Sequence, residues 1–442
     1  MVVGGGLAGL TAGWKLRDRD VVVLEAGERA GGRLRSEPRG DVWLNFGAHV
    51  FGGPTSATGA LLRATGVEAR PVPGRLAAAE MGGRVVARGP VQAMPLLLPL
   101  SPGGRIALAR TGARLRLAVR RYAAVAEPRP GEPHAARQQR MLDFMDDRSM
   151  AEFLGPLPAD ADGLFRATLT RSSGEPEDLH AGYGVGYFHL VWNRDSGLSW
   201  NILGGSAVLP ETLATALGES VRLGTRVTEV VEMGDGVEVG YQGPDGGTGR
   251  IVARAAVVAV PAHAAPAVLP ALPGETRGAL EQIPYGPYVV GAFLTDERRP
   301  MPWDGIYALA TPQRSFSMLF NTANVLREAG AAREPGGSLM VYAAADLARA
   351  LADQSDAEIE RSFRDDLFAI YPDARRVVRE VVIHRWERGL PYPRPGRARL
   401  QAALTRPLGR IHLAGDYLGT WYTETAILTA QSAAATARAQ LG

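Results

Sequence analysis

Cysteine does not occur anywhere in the 442 residues. Its absence excludes disulfides, thiolate metal sites, a catalytic thiol and any cofactor tethered through sulfur. Lysine is nearly as scarce: Lys15 is the only one among 49 Lys and Arg residues. Such arginine-rich, lysine-poor usage accompanies GC-rich bacterial genomes. No uncharged stretch approaches the roughly 18 apolar residues of a membrane span. A glycine-rich loop that starts at residue 4 leaves no place for a signal peptide, so a cytoplasmic protein is expected. The net charge is +3 and the sequence pI about 9.2. Because the basic residues are interspersed with nearly as many acidic ones, nucleic acid is not an expected partner. No His, Asp or Glu spacing suggests a metal, and no nucleophile elbow suggests hydrolysis.

Glycine, in contrast, is abundant, with 54 residues, and it concentrates at once in "VVGGGLAGL", residues 2–10. Glycine runs are entropically costly, so a folded cluster marks a turn or a close approach to the backbone. Gly4-x-Gly6-x-x-Gly9 follows an apolar strand, Met1 to Val3, and runs into a helical segment ending near Leu16. That strand, turn and helix context is what a dinucleotide-binding motif needs: one glycine for the turn, one to admit a pyrophosphate, one for close helix packing. A second strand, Asp20 to Leu24, ends at Glu25, placed to accept hydrogen bonds from a ribose. The length predicts two interleaved domains.

Beyond the second strand, "ERAGGRLRS" brings Gly31, Gly32 and Arg33, whose backbone and guanidinium fork suit a diphosphate. With these residues the sequence resembles the flavin-containing amine oxidase superfamily, which also includes protoporphyrinogen oxidases and carotenoid-type desaturases. The resemblance continues in "GRIHLAGDYLGTWYTETAILTAQ", with a strand at Ile411–Leu413, then Gly415 and Asp416, then Glu424, Thr425 and Ala426 opening a terminal helix. It implies non-covalently bound FAD. Gly4, Gly6, Gly9, Glu25, Gly32 and Arg33 hold one part of it, and the backbone of Val227 meets the adenine. Gly415 and Asp416 hold the ribityl or diphosphate side. Helix-start amides near Thr425, Ala426 and Ile427 stabilise charge on the reduced ring. The family usually has glycine where Thr425 stands.

The implied fold is α/β. A Rossmann-type FAD-binding domain is assembled from three segments, 1–75, 205–270 and 395–442. A second, mixed-sheet and helical substrate domain comes from 76–204 and 271–394. Residues 76–200 are Ala-, Leu- and Arg-rich without alternation, which predicts helices, one of them over 103–125 with Ile106, Leu117 and Tyr122 on one side. A solvated helix is the expectation there, membrane association the lesser alternative. From 283 to 394 the pattern predicts strands and one helix, capped by Ser355 and Glu358.

Amine oxidases of this kind set two aromatic rings about the flavin. By position one is Tyr422, while the other falls near Gly389 or Leu390, so Trp421 and Tyr392 are the candidates to complete the wall. The lysine such enzymes place near the flavin is missing from "IPYGPYVVGAFL". Tyr183, Tyr187, His189, Trp192 and Asn201 are further candidates for a pocket. The expected activity is removal of a hydride from a C–N bond of a small amine or amide-like substrate, of the kind met in natural-product metabolism, with O2 as acceptor. The alternative is protoporphyrinogen-oxidase- or desaturase-like oxidation of a large hydrophobic molecule. A nicotinamide dehydrogenase would leave the Asp416–Ala426 segment idle, and a non-redox flavoprotein would use FAD without substrate-driven bleaching.

Overall fold

Apolar runs far apart in the chain meet in one sheet. The computed structural model describes residues 1–192, 198–327 and 334–442. In it Val221–Arg222, Val23–Leu24, Val2–Val3, Ala256–Val258 and Ile411–Leu413 lie side by side in that order. Every pairing is parallel. Strands of such a sheet are covered on both faces, which is why they read as unbroken Val/Leu/Ile/Ala runs. The helix Leu7–Lys15 packs on the C-terminal helix Tyr422–Leu441. The alanines of the latter, with Ile427, share a core with Leu10, Val23 and Leu213. A three-stranded meander, Arg226–Met233, Gly236–Gln242 and Thr248–Ala253, flanks the sheet. Its first turn runs through Gly234 at φ 58°.

The second layer is a seven-stranded mixed sheet. Its order is Val378–Pro391, Tyr285–Thr295, Gly337–Ala344, Met318–Asn321, Ala308–Ala310, Ala78–Met81 and Arg84–Val86. The helix Asp356–Ile370 carries the capping box of Ser355 and Glu358. It buries Ile359, Phe363 and Leu367, one residue every helical turn, in the core on one face of that sheet.

Two expectations are corrected here. Residues 76–200 are not helical throughout: the hairpin Ala78–Met81/Arg84–Val86 extends the large sheet. Ala78 and Ala79 pair parallel with Leu309 and Ala310, a tertiary contact that overrides weak local pattern. The long helix does form, as Pro102–Ala126 capped by Ser101, but its buried stripe is Thr111, Leu115, Ala118 and Tyr122. Ile106 and Leu117 are 70% and 51% exposed. Leu117 and Tyr122 are five residues apart, about 140° around a 3.6-residue helix, so they cannot share a face. Among the described residues no helix is long and apolar enough to cross a membrane.

Candidate active site

The nucleotide end is built from backbone. Gly6 is the N-cap of the first helix, with no side chain to cap it. A Cβ on Gly9 would stand 1.8 Å from the Gly4 carbonyl, whereas one on Gly6 would meet nothing within 4 Å. Gly9 therefore closes the turn, and Gly6 opens the helix N-terminus onto free space where a diphosphate is favoured. Gly32, at φ 56°, faces it, a Cβ there falling 3.2 Å from Gly6 Cα. The Glu25 carboxylate accepts from the Gly5 amide at 2.6 Å and the Gly27 amide at 2.7 Å. Beside it the Thr225 amide donates to the Glu25 carbonyl at 2.8 Å, which brings the start of the meander and Val227 alongside.

Arg33 and Asp416 form an ion pair, with a hydrogen bond from Nη2 to Oδ1 at 2.9 Å and Nη1 2.8 Å from Oδ2. Arg33 also donates to the Gly389 carbonyl at 3.0 Å. Gly415 is steadied by the Thr429 hydroxyl, which accepts its amide at 3.0 Å. These contacts bring Gly4, Gly6, Gly9, Glu25, Gly32, Arg33, Gly415 and Asp416 into one region, and the open glycine cradle fits an FAD diphosphate.

The terminal helix differs in register from the expectation. It begins at Tyr422, and its first bond runs from the Thr425 amide to the Trp421 carbonyl at 2.9 Å. Ala426 and Ile427 therefore lie inside the hydrogen-bonded helix, packed in the core. The amides without an intrahelical acceptor are those of Tyr422, Thr423 and Glu424. Thr425 turns inward, its hydroxyl accepting from the Trp421 amide at 2.9 Å. Glu424 has a role that its sequence position concealed: its carboxylate accepts from the Ala57 and Thr58 amides at 2.6 and 3.0 Å and from the Thr58 hydroxyl at 2.9 Å. It thereby caps the helix Ala57–Thr65 from across the fold.

Next to Arg33 opens a cavity. Tyr422 and Thr423 line it from the helix start, Tyr288, Val290, Met340, Tyr342, Trp386 and Leu390 from the large sheet, and Tyr187 and Arg171 from the helical segment. Tyr422 holds φ at 39°, and its hydroxyl lies 3.2 Å from Ser172 Oγ. Trp421 and Tyr392 do not line this cavity. The Trp421 ring stacks on Tyr183 with centroids 4.7 Å apart. Tyr392 is 3% exposed and borders a small neighbouring cleft that Asp416 and Tyr422 also line. The second aromatic wall comes instead from Tyr288 and Trp386. A Cβ on Gly389 would be 2.4 Å from the Tyr288 ring, so that ring fills the space beside the glycine. Of the other pocket candidates, Tyr187 lines the cavity, His189 lies against Tyr122, and Asn201 pairs with the Tyr307 hydroxyl at 3.1 Å.

The wall carries no Asp or Glu among the described residues. Burial pushes the phenols of Tyr187, Tyr288, Tyr342 and Tyr422 up, so they are neutral hydroxyls at physiological pH. Burial holds His49 down to about 4, with the nearby Arg171 charge adding to the effect, in spite of its hydrogen bond to the Gly47 carbonyl. Lysine is absent from the cavity wall, and Lys15 is exposed at the end of the first helix.

The profile of flavin containing amine oxidoreductases matches residues 7–437. The chain belongs to that family. Its cofactor is FAD, and with no cysteine present no thioether can tie the flavin to the protein. The fold is similar over 100% of the chain to cyclohexylamine oxidase from Brevibacterium oxydans IH-35A, with 22% identity, 98% of that chain covered and a TM-score of 0.77. It is similar over 99% to wild-type putrescine oxidase bound to putrescine, with 21% identity, 98% of that chain covered and a TM-score of 0.76. An L-amino-acid oxidase of Demansia vestigiata is 27% identical over 232 residues, 49% of this chain and 43% of that protein. The chain thus matches less than half the length of that curated relative. The family it belongs to is one of flavin-containing oxidoreductases.

Proposed function

We propose that the protein oxidises a C–N bond of an amine held in the cavity beside Arg33 and Asp416. The observation that carries this reading is the position of that cavity. It shares Arg33, Gly389 and the Tyr422–Thr423 helix start with the FAD-binding region, so a substrate within it is next to the cofactor site. FAD, when bound, would supply the acceptor for the hydride of the donor carbon, which carries both electrons of the broken C–H bond. The chain's own part is orientation and dryness. Gly6 and Gly32 admit the diphosphate, Glu25 takes the ribose hydroxyls, and Arg33 and Asp416 fix the middle of the cofactor. Tyr422, Tyr288 and Trp386 wall the donor, which restricts it to a productive orientation and excludes water. The amine carbon gives up its hydride, the nitrogen lone pair forms the C=N bond, an N–H proton leaves to give the imine, and water hydrolyses the released imine to a carbonyl compound and ammonia or the corresponding amine. O2 is the proposed final acceptor, and the cytoplasm the proposed compartment.

Anaerobic mixing of the holoprotein with amines, amino acids, tetrapyrroles and polyenes tests the reading. Bleaching of the flavin by an amine or amino acid is expected. Bleaching by tetrapyrroles or polyenes alone would replace it with the oxidation of a large hydrophobic substrate, and no bleaching by any class would point to a non-redox flavoprotein.

A further inference from the structure

Resting on that reading, we infer that Arg171 docks a carboxylate of the substrate, so that the cavity takes an amino acid in preference to a simple amine or a diamine. Arg171 lies in the short turn Thr170–Ser172, is partly buried and lines the cavity. Its guanidinium carbon is 5.1 Å from the centre of the Phe320 ring and 5.4 Å from that of Tyr187. The ionisable groups that bear on it are the phenols of Tyr187, Tyr342, Tyr422 and Tyr307, of which Tyr342 is hydrogen-bonded to it, and the neutral imidazole of His49, with no carboxylate among them. The contrast with Arg166, five residues earlier, is sharp. That guanidinium is engaged by Asp162, Glu175 and Glu177 together.

A guanidinium keeps its charge in any protein setting. Leaving one in a confined, largely apolar site is costly unless an anion completes it, and contacts with two aromatic faces offset only part of that cost. The position is also fixed in advance. The Tyr288 hydroxyl donates to the Arg171 carbonyl at 2.7 Å, Tyr422 reaches Ser172 at 3.2 Å, and the Ser173 hydroxyl donates to the Leu390 carbonyl at 2.8 Å. Tyr288, Tyr422 and Leu390 all line the same cavity. The walls of the site therefore hold the turn that presents the cation.

The charge balance selects against other amines. Arg33 is matched by Asp416, His49 stays neutral, and no acid stands on the wall among the described residues. A diamine would bring a second ammonium to a wall whose described residues include the cation of Arg171 and no carboxylate to match it. An amino acid brings a carboxylate, whose two oxygens fit the planar fork of arginine.

Phenylalanine and phenethylamine differ by that carboxylate alone, and benzoate is a carboxylate that cannot be oxidised. The FAD-loaded protein should bind benzoate in calorimetry, and phenylalanine should reduce the flavin at least about thirtyfold more efficiently than phenethylamine. Arg171→Met should weaken benzoate at least about thirtyfold, on the scale of a truncated buried charge pair. It should abolish the preference for phenylalanine through KM more than through kcat, with FAD content unchanged. Arg171→Lys, which keeps the charge and the stem, should recover part of both. Benzoate affinity untouched by Arg171→Met, or phenethylamine as good a reductant as phenylalanine, overturns the inference. If neither compound bleaches the flavin, C–N oxidation of such compounds fails, and the Arg171 dependence of benzoate binding still decides whether the site reads a carboxylate.

Discussion

Arg33 holds Asp416 by two prongs, Nη2 to Oδ1 at 2.9 Å and Nη1 to Oδ2 at 2.8 Å, across 383 residues of sequence. Asp416 is 7% exposed and Arg33 30%. The pair ties the glycine loop after the second strand to the strand that leads into the terminal helix. Removing one partner leaves the other buried and uncompensated, which typically costs about 3–5 kcal/mol. Arg33→Met should therefore lower the denaturation midpoint of the apoprotein and yield protein with little flavin. A variant that unfolds like the parent and purifies fully yellow refutes the role of this pair.

Glu25 offers a cleaner test of the nucleotide end. Its carboxylate is already satisfied by two amides, so the backbone loop is set without the cofactor. Glu25→Ala removes the ribose acceptor and the brace together, a loss of about 1–3 kcal/mol. FAD affinity should fall about tenfold or more, measured by fluorescence titration of the apoprotein. Unchanged affinity excludes Glu25 as the ribose acceptor.

Tyr422 separates shape from hydrogen bonding. Tyr422→Phe keeps the ring and loses only the hydroxyl's contacts with Ser172 and Tyr183, so anaerobic flavin reduction should stay within a fewfold of the parent. Tyr422→Ala removes a wall of the cavity and should slow reduction strongly at undiminished FAD content. Truncating a buried aromatic can cost about 3–5 kcal/mol, so the melting curve of the variant is recorded before its rates are compared. Reduction by Tyr422→Ala at the parental rate removes the wall from the proposed function.

These residues show what a sequence can and cannot disclose. The local settings of Gly6, Gly9, Glu25 and Asp416 are legible because each answers a local demand: a turn without a side chain, an acid at a strand end, a strand-to-helix junction. The capping box at Ser355 and Glu358 is local in the same sense. The edge hairpin at residues 78–86 was not legible, because its partner strand is some 230 residues away and three or four alternating positions carry little signal. Arg171 and Tyr288 escaped for a related reason. One sits in a turn with no pattern of its own, and the other reaches the cavity through an irregularity between Gly286 and Tyr288 against the neighbouring strand. Trp421 was misplaced because adjacent residues at a helix start point in different directions: Tyr422 faces the cavity while Trp421 stacks on Tyr183.

Acid stability follows from His180. It is fully buried, its Nδ1 accepts from the Tyr183 amide at 3.2 Å, and burial holds its pKa down to about 3. In the unfolded chain it titrates near 6.5. Between those values the unfolded chain binds a proton that the folded protein does not, so stability is lost as pH falls from about 6.5 towards 3. The slope reaches about 1.4 kcal/mol per pH unit for this one group. His180→Asn keeps an acceptor where Nδ1 stands and removes the titration. Chemical denaturation at pH 7, 6 and 5 should show a flatter decline for this variant, and parallel declines would assign the acid sensitivity elsewhere.

The last expectation joins Gly389 to Arg171 through one ring. A Cβ at Gly389 would come within 2.4 Å of the Tyr288 ring, and the hydroxyl of that same tyrosine donates to the Arg171 carbonyl. Gly389→Ala must therefore move the ring, and overpacking of this kind costs about 1–3 kcal/mol. Displacing the ring also slackens the turn that presents the guanidinium. The variant should lose stability and, more tellingly, carboxylate affinity, although residue 389 is not proposed to touch the carboxylate. Tyr288→Leu on its own should weaken benzoate by loosening the same turn. Added to Gly389→Ala, it should restore stability, because the smaller side chain vacates the space, yet leave benzoate weak because the hydroxyl is gone. The two substitutions share a contact, so their effects on stability should be strongly non-additive. A double variant whose stability equals the sum of the single losses shows that Gly389 and Tyr288 do not compete for that space.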